Sequence, residues 1–406
     1  MGGAAGHLQH LYENLGLTFG EIKEVLASAA AGKLEGVTEK LDGMNLVFTC
    51  DGEVLRVARN PNDIRSGGMD AAALAKKFFG RGNVETAFND AFKVLTQALN
   101  SLSDRQRQWI FKGGHRWYSM EIIYAADPNV ITYDSNSVVF HSWPIYQATG
   151  DEFTQVDDNR GLELMLSQLD RMQQAVTVKD WHVRGPVGLK LKTLPFSVVN
   201  KAFWQFEAAM VVAGVTEGAS IYDYLNKRLE LDVRALDLPG VVAKMTLERV
   251  VGRPGAPTVI TIKRVAPKEL HEKIQVFVRH SDEVLKPKYL APIEKTIHAF
   301  AIEVLRGLPS SLISRSDAEV ARLQAYLARA IETIQASGHQ AAMAVLRKEM
   351  SRLGSVENLA AAMEGIVFFY KGQAYKFTGA FAPAHQIMAL FKFGRKDIPK
   401  MEMQHV

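Results

Sequence analysis

Residues 38–45 read Thr-Glu-Lys-Leu-Asp-Gly-Met-Asn, and an apolar run, Leu46-Val47-Phe48, follows them directly. The run has the β-branched and aromatic character of a strand. A strand rarely buries a charged amine, and Asp-Gly ordinarily forms a hairpin turn. The sequence Lys-x-Asp-Gly is short enough to recur by chance, so a solvated lysine on a surface hairpin is the simplest explanation of Lys40 when the stretch is considered alone.

Four more charged residues in strand-like sequence follow Lys40 in a fixed order. Ala58-Arg59-Asn60 closes the next strand, and Ser119-Met120-Glu121-Ile122-Ile123-Tyr124 places a carboxylate among apolar neighbours, with Asn129-Val130-Ile131-Thr132-Tyr133 behind it. Near the other end of the chain, Met363-Glu364-Gly365-Ile366-Val367-Phe368 and Tyr375-Lys376-Phe377-Thr378 predict a hairpin around Lys371-Gly372. That hairpin carries a carboxylate on one strand and an amine on the other.

This ordered set resembles the motifs of the covalent nucleotidyltransferase superfamily, which includes ATP-dependent RNA and DNA ligases and mRNA capping enzymes. Lys-x-Asp-Gly corresponds to the family's nucleophile motif, and the later motifs are matched one by one by Arg59, Glu121, Glu364 and Lys376. Glu39 before the lysine and Asn45 after the glycine look more like phage-type RNA ligases than DNA ligases. Thr378 stands where the family often has a second lysine. The resemblance covers residues 37–143 and 360–380.

The resemblance implies a role for each matched residue. Lys40 would attack ATP and become linked to AMP, with Lys376 as its catalytic partner at the α-phosphate. The implied nucleotide-binding residues are Glu39, Asn45, Arg59, Glu121, Glu364 and Lys376. We also expect Lys376 to lower the pKa of Lys40, because a buried amine beside a second cation loses its proton more easily.

The implied metal is Mg²⁺ or Mn²⁺, with Glu364 and Asp42 as its ligands. Carboxylates suit these hard cations, which offset the charge of a triphosphate. Structural alternatives remain open at three positions. Asp42 would equally well cap its own turn, Arg59 would be a solvated strand end, and Glu121 would be a salt-bridge partner.

The expected fold class is α+β. The resemblance implies a ligase-type nucleotidyltransferase domain of ATP-grasp-like antiparallel sheets with flanking helices. Residues 1–200 would form its N-terminal part, residues 201–350 a large, mainly helical insert, and residues 351–406 its C-terminal part with a terminal helix. The 30 residues after Lys376 are too few for the oligonucleotide-binding barrel that DNA ligases carry there, so no C-terminal barrel is expected.

The composition is that of an ordinary globular protein. Of 406 residues, 47% are apolar and 23% charged, and the net charge is +4, which neither requires nor opposes a polyanionic partner. A single cysteine, Cys50, excludes an internal disulfide framework and a thiolate zinc site. No long apolar run predicts a membrane span, and the N-terminus has no signal-peptide pattern. We therefore expect a cytoplasmic protein of a bacterium or of a phage-infected cell.

The function that the resemblance implies is an ATP-dependent RNA ligase that joins a 5′-phosphate to a 3′-hydroxyl through a lysyl-AMP intermediate, as in RNA repair. Its partners would be ATP and RNA or other polynucleotide ends. Three alternatives stay open: a DNA ligase, another lysyl-AMP nucleotidyltransferase, and a non-catalytic RNA-binding scaffold. The sequence does not define an oligomeric state.

Overall fold

The computed structural model describes residues 8–127, 131, 133–149, 152–156, 158–308, 317–356 and 364–392. Its strands are β1 (Glu35–Lys40), β2 (Met44–Asp51), β3 (Val54–Ala58), β4 (Arg116–Ile123), β5 (Asn136–Thr149), β6 (Glu152–Val156), β7 (Trp181–Arg184), β8 (Gly365–Tyr370) and β9 (Gln373–Phe377).

Helices alternate with these strands and dominate the middle of the chain. They are α1 (Phe19–Ala30), α2 (Pro61–Arg65), α3 (Ala71–Phe78), α4 (Asn83–Asn100), α5 (Asp104–Phe111), α6 (Arg160–Leu166), α7 (Leu169–Ala175), α8 (Phe196–Ala213), α9 (Ile221–Arg234), α10 (Gly240–Val251), α11 (Val259–Val265), α12 (His271–His280), α13 (Lys286–Arg306), α14 (Asp317–Ser337), α15 (Gln340–Leu353) and α16 (Phe381–Lys392). A π-helical segment, Ser281–Leu285, joins α12 to α13.

The strands form two sheets. The larger has the strand order β3-β2-β4-β5-β6 with antiparallel neighbours, and β7 joins β5 in parallel. The smaller has the order β1-β8-β9 and is antiparallel. Consecutive strands β1 and β2 therefore belong to different sheets. In the described part of the chain, neither sheet closes into a barrel.

Side-chain alternation gives the larger sheet one apolar face, which helices α3–α7 cover. The central covering helix is α4, and its apolar residues recur at helical spacing: Ala87, Phe88, Ala91, Val94, Leu95, Ala98 and Leu99. Burial of each large side chain there contributes about 1.5–3 kcal/mol. The opposite face carries Asn45, Ser119 and Glu121 at alternating positions of β2 and β4, beside a small apolar cluster of Val47, Ala58, Ile64, Trp117 and Tyr146.

The smaller sheet packs on a different set of helices. Its apolar face, with Val37, Ile366, Phe368, Tyr375 and Phe377, belongs to one continuous cluster with α1 and α8–α13. The rings of Phe300 in α13 and Phe377 in β9 are 6.1 Å apart, edge to face. Helices α8–α13 thus share a core with β1, β8 and β9, which carry Lys40 and Lys376.

The α+β class with antiparallel sheets is confirmed. Residues 201–350 are mainly helical wherever they are described. The segment 158–176 contains two short helices, α6 and α7, separated by Ser167 and Gln168. Of the segment Asn129–Tyr133, only Ile131 and Tyr133 lie within the described residues, and Met363 lies outside them.

No helix in the described residues combines the length and the apolar composition that crossing a lipid bilayer requires.

The reactivity of Cys50 provides a test of the packing of the larger sheet. It lies in β2, is buried in the cluster under α4, and donates its thiol to the carbonyl oxygen of Gly52 at 3.2 Å. Burial raises the pKa of Cys50 to about 11, so the thiol stays protonated and unreactive at neutral pH.

We therefore predict that a thiol reagent such as iodoacetamide at pH 7.5 modifies Cys50 in urea-unfolded protein but not in native protein. Mass spectrometry of the intact chain measures the modification, and the unfolded sample is the control. Modification of the native protein as fast as the unfolded chain would contradict this burial.

Candidate functional site

The smaller sheet brings Lys40 and Glu364 together from opposite ends of the chain. Lys40, the last residue of β1, lies opposite Gly365, the first residue of β8. Its Nζ forms an ion pair with Oε1 of Glu364, and the two side chains are 21% and 19% exposed. The pair is therefore largely withdrawn from solvent at the end of the β1–β8 ladder.

Lys376 lies on the same face of this sheet as Lys40. Thr38 is opposite Val367 in β8, and Val367 is opposite Lys376 in β9, so these three residues form one row across the sheet. Residues two apart on a strand share a face, which places Lys40 beside Thr38 on that side. Lys376 is itself buried, and its backbone N–H donates to the carbonyl of Gln9 at 3.1 Å.

Glu39 lies on the other face of β1. It neighbours Lys40 directly, and successive side chains of a strand point to opposite faces. Its backbone N–H donates to the carbonyl of Val187 at 3.1 Å, which attaches a loop to the free edge of β1. The structure thus does not bring the Glu39 side chain to the face that carries Lys40 and Lys376.

The polar face of the larger sheet supplies Glu121 and Asn45, which are opposite one another in β4 and β2. Glu121 is buried, and its Oε2 lies 3.1 Å from Nε2 of His141 in β5. The Asn45 amide nitrogen donates to Ser119 Oγ at 3.0 Å and to the carbonyl of Met120 at 3.2 Å. The Asn45 Oδ1 is buried and has no hydrogen-bond partner among the described residues.

Arg59 contacts this row of residues through the backbone of Asn45. It follows β3, and its Nη1 donates to the backbone carbonyl of Asn45. Its guanidinium carbon lies 5.7 Å from the centre of the Phe88 ring in α4. Burial lowers the pKa of Arg59, and the neighbouring Glu121 carboxylate opposes this shift. Arg59 is therefore a partly buried cation beside Asn45 and Glu121.

Asp42 anchors a loop of the larger sheet. Its carboxylate accepts the backbone N–H of Ile131 at 3.0 Å, and its own backbone N–H donates to the hydroxyl of Tyr133 at 2.9 Å. Those two residues belong to the connection between β4 and β5. This anchoring extends beyond the turn that the sequence suggested Asp42 would cap.

Gly43 is a close-approach glycine. A Cβ there would lie 2.6 Å from the carbonyl oxygen of Ile122 and 2.7 Å from Cγ of Glu121. The chain between β1 and β2 passes from one sheet to the other, so Asp42-Gly43 does not form the hairpin turn that such a pair ordinarily makes. The missing side chain lets this crossover lie directly against Glu121.

The charges around Lys40 are mainly negative. Burial lowers the pKa of Lys40, but the carboxylates of Glu364, Glu121 and Asp42 more than offset this effect, so its pKa lies above the ordinary value. Burial likewise raises the pKa of Glu364, against the opposing effect of Lys40. The expectation that Lys376 holds the pKa of Lys40 down is therefore wrong for this arrangement, because three carboxylates surround the amine.

His141 was not among the residues singled out from the sequence. Phe140 is opposite Met120 and Ile145 is opposite Tyr118, so residues 141–144 form an irregularity facing Ser119. The alternation of β5 is lost there, and alternation is the signal that would have placed His141 beside Glu121.

The site has features that fit a nucleotide and a magnesium ion. The unpartnered Asn45 Oδ1 fits a hydrogen-bond donor on a ligand, because a buried acceptor without a partner is costly. Within the described residues no three metal-ligating side chains form a preformed cage. That is compatible with Mg²⁺, which in phosphate-transfer sites uses one or two carboxylates plus substrate phosphates. Asp42 and Glu364 are near enough for Asp42 to raise the pKa of Glu364.

The chain was also compared with known proteins. No family model, characterised protein or solved structure matches it.

The charge balance leads to a stability prediction. Lys40→Ala should lower the free energy of unfolding by roughly 1–3 kcal/mol, below the 3–5 kcal/mol of a fully buried pair because the ion pair is partly exposed. Lys40→Arg keeps the positive charge and should lose less. Adding Glu364→Gln to Lys40→Ala should recover part of the loss, because it removes one uncompensated carboxylate.

Urea unfolding at neutral pH measures these differences. Lys93→Ala is the control, since the Lys93–Asp90 pair lies on the surface and should contribute less than about 1 kcal/mol. If Lys40→Ala were as stable as the unmodified protein, Lys40 would not be compensating the charge of the Glu364 carboxylate.

Proposed function

We propose that the protein is an ATP-dependent polynucleotide ligase, most similar in chemistry to RNA ligases, and that Lys40 carries AMP during the reaction. One observation supports this most strongly. The lysine, glutamate and second lysine of the motifs come from the two ends of the chain, yet they belong to one small sheet, with Lys40 paired to Glu364 and facing the same side as Lys376.

The first step would form a bond between Lys40 Nζ and the α-phosphorus of ATP and break the bond from that phosphorus to the bridging oxygen. Pyrophosphate leaves with the electron pair. The amine must lose a proton beforehand, and Glu364, whose Oε1 contacts Nζ, is placed to accept it. Lys376 is the cation on the same face that would meet the developing phosphate charge.

The larger sheet would hold the nucleoside. Glu121 is an acceptor for a ribose hydroxyl, and the orientation of its carboxylate is set by His141. Asn45 Oδ1 is an available acceptor, and Arg59 is a donor to ribose or phosphate. Asp42 and Glu364 are the carboxylates that would hold Mg²⁺, which when bound supplies charge that offsets the triphosphate.

Two further steps would complete ligation. The 5′-phosphate of a strand would displace Lys40 from the adenylate phosphorus, giving a 5′-adenylylated end. A 3′-hydroxyl would then attack the 5′-phosphate and release AMP, which seals the backbone. In both steps the protein contributes positioning and charge more than covalent chemistry.

We predict that the purified protein, incubated with Mg²⁺ and ATP labelled at the α-phosphate, carries label after denaturation. Lys40→Arg should carry none, because a guanidinium stays protonated at neutral pH and yet preserves the local charge. Autoradiography of a denaturing gel and mass mapping of the labelled peptide give the answer. Label retained by Lys40→Arg would refute the assignment of the nucleophile.

The same assay separates the alternatives. Stronger labelling from GTP would indicate capping-type chemistry, and absence of label with every nucleotide would favour a non-catalytic RNA-binding protein. If label appears, sealing of nicked DNA in preference to RNA would indicate a DNA ligase.

Asp42→Asn tests the metal role separately. Asparagine keeps an oxygen that can accept the Ile131 N–H, so the thermal midpoint should stay close to that of the unmodified protein. The lost negative charge should reduce labelling about 10-fold or more at low Mg²⁺, with partial recovery as Mg²⁺ is raised. Loss of thermal stability without any dependence on Mg²⁺ would instead show that Asp42 only anchors the loop.

A further inference from the structure

The turn after α3 exposes a large aromatic ring. Phe79 is 81% exposed, and its backbone is extended rather than helical. Gly80 and Gly82 follow, and a Cβ at either position would meet nothing within 4 Å, so the space beside the turn is open. Burial of a phenylalanine side chain normally stabilises a fold by about 1.5–3 kcal/mol. The exposed ring of Phe79 does not contribute this stabilisation.

The turn is nevertheless held in place. The backbone N–H of Gly80 donates to Oε2 of Glu85 at 2.7 Å. The guanidinium carbon of Arg81 lies 5.4 Å from the centre of the Phe78 ring, and Phe78 stacks on Phe88 with centroids 4.0 Å apart. The ring of Phe79 is thus presented to solvent by a fixed support.

Two contacts connect this support to the candidate site. The first is made by Phe88. Its ring stacks on the ring of Phe78, and the guanidinium carbon of Arg59 lies 5.7 Å from its centre. The second is Asp63, whose carboxylate accepts the backbone N–H of Arg59 at 2.9 Å and Nζ of Lys77 at 2.6 Å. The position of the turn is therefore set by residues that also position Arg59.

The charges beside the exposed ring are mostly positive. Lys76 precedes Phe79 by three residues and Arg81 follows it by two; both are exposed, and within the described residues no ion pair is found for either. Lys77 is paired with Asp63, and the Glu85 carboxylate accepts the backbone N–H of Gly80 in the turn itself. An exposed aromatic ring with cations close by in the same turn is the combination that binds single-stranded nucleic acid, in which bases stack and phosphates meet positive charge.

We propose that Phe79, Lys76 and Arg81 form a stacking platform for an unpaired base of the polynucleotide strand whose end reaches Lys40. This rests on the proposed function and extends it, since it assigns the strand a path past Arg59 and over the α3–α4 turn. The ring accepts a base of any identity, because every base has a π-face. The platform thus favours single strands over blunt duplexes and is tolerant of sequence.

The test compares two double variants that each remove one exposed phenylalanine and one exposed cation. Phe79→Ala with Arg81→Ala removes the platform. Phe196→Ala with Lys201→Ala, on α8, is the matched control, since Phe196 is 76% exposed. Fluorescence anisotropy measures binding of a 5′-phosphorylated single-stranded RNA 20-mer to each protein, at one salt concentration of about 50 mM.

We expect the platform variant to bind the RNA about 5- to 100-fold more weakly than the unmodified protein. The control variant should bind the RNA as the unmodified protein does. The single variant Phe79→Trp keeps an aromatic ring and should retain most of the affinity of the unmodified protein. DNA of the same sequence should show a similar loss, whereas a blunt duplex should show little. Equal losses in both double variants, or an equal loss for the duplex, would overturn the platform.

This test is independent of nucleotide chemistry. If the unmodified protein carries label on Lys40 while the platform variant binds RNA normally, the ligase proposal stands and the platform is wrong. If no label forms on Lys40 but the platform variant loses binding, the platform stands and the ligase proposal is wrong. Thermal unfolding of both double variants checks that each is folded.

Discussion

The pairing of β1 with β8 is the constraint on which the rest of the structure depends. It joins residue 40 to residue 365 and closes the entire helical region into one long loop. Closing a loop of that length costs little more than closing a shorter one, but the cost must be offset by contacts. The apolar face of the small sheet provides them, because Ile366, Phe368 and Phe377 are buried in the cluster formed with α1 and α8–α13. The helices between the two groups of motif strands are therefore part of what holds Lys40 against Glu364, and a short linker in their place would expose that face to water.

The pairing of β1 with β8 also brings charged side chains together in a partly buried site, an arrangement that does not by itself favour stability. Burying an ion pair costs desolvation that mutual attraction often fails to repay, so Lys40 and Glu364 are weak contributors to stability for their position. Glu121 and Asp42 raise the pKa of Lys40 further, and Arg59 and Lys376 bring two more cations to the same site. Such a concentration of partly buried charge is an unfavourable arrangement for a ligand-free protein. It is a favourable one for a protein that binds a cation together with a substrate, which is why strongly perturbed groups concentrate at functional sites.

The sequence was a good guide wherever a signal is local. Sequence patterns predicted strands, the hairpin of β8 and β9 and the helical middle of the chain, and the resemblance of the motifs implied that Lys40, Glu364 and Lys376 lie in one site. It was a poor guide wherever a side chain's role depends on what packs against it. Asp42 holds Ile131, 89 residues away, and no short-range pattern marks such a contact. His141 lies in an irregular part of β5, where the two-residue period no longer tells which side chains share a face. The direction of the Lys40 pKa depends on counting charges from both sheets.

Two glycines, Gly43 and Gly365, allow close backbone contacts in this site. Gly43 lets the crossover between the sheets lie against Glu121, and Gly365 lets β8 lie against β9, where a Cβ would be 2.0 Å from the carbonyl oxygen of Phe377. Gly365 directly follows Glu364, and Gly43 lies three residues after Lys40. A side chain at either position would push one sheet away from the other or one strand from its neighbour. The glycines of the two motifs are thus explained by close approach rather than by turn geometry: Gly43 sets how closely the crossover approaches Glu121, and Gly365 how closely β8 approaches β9 beside Glu364.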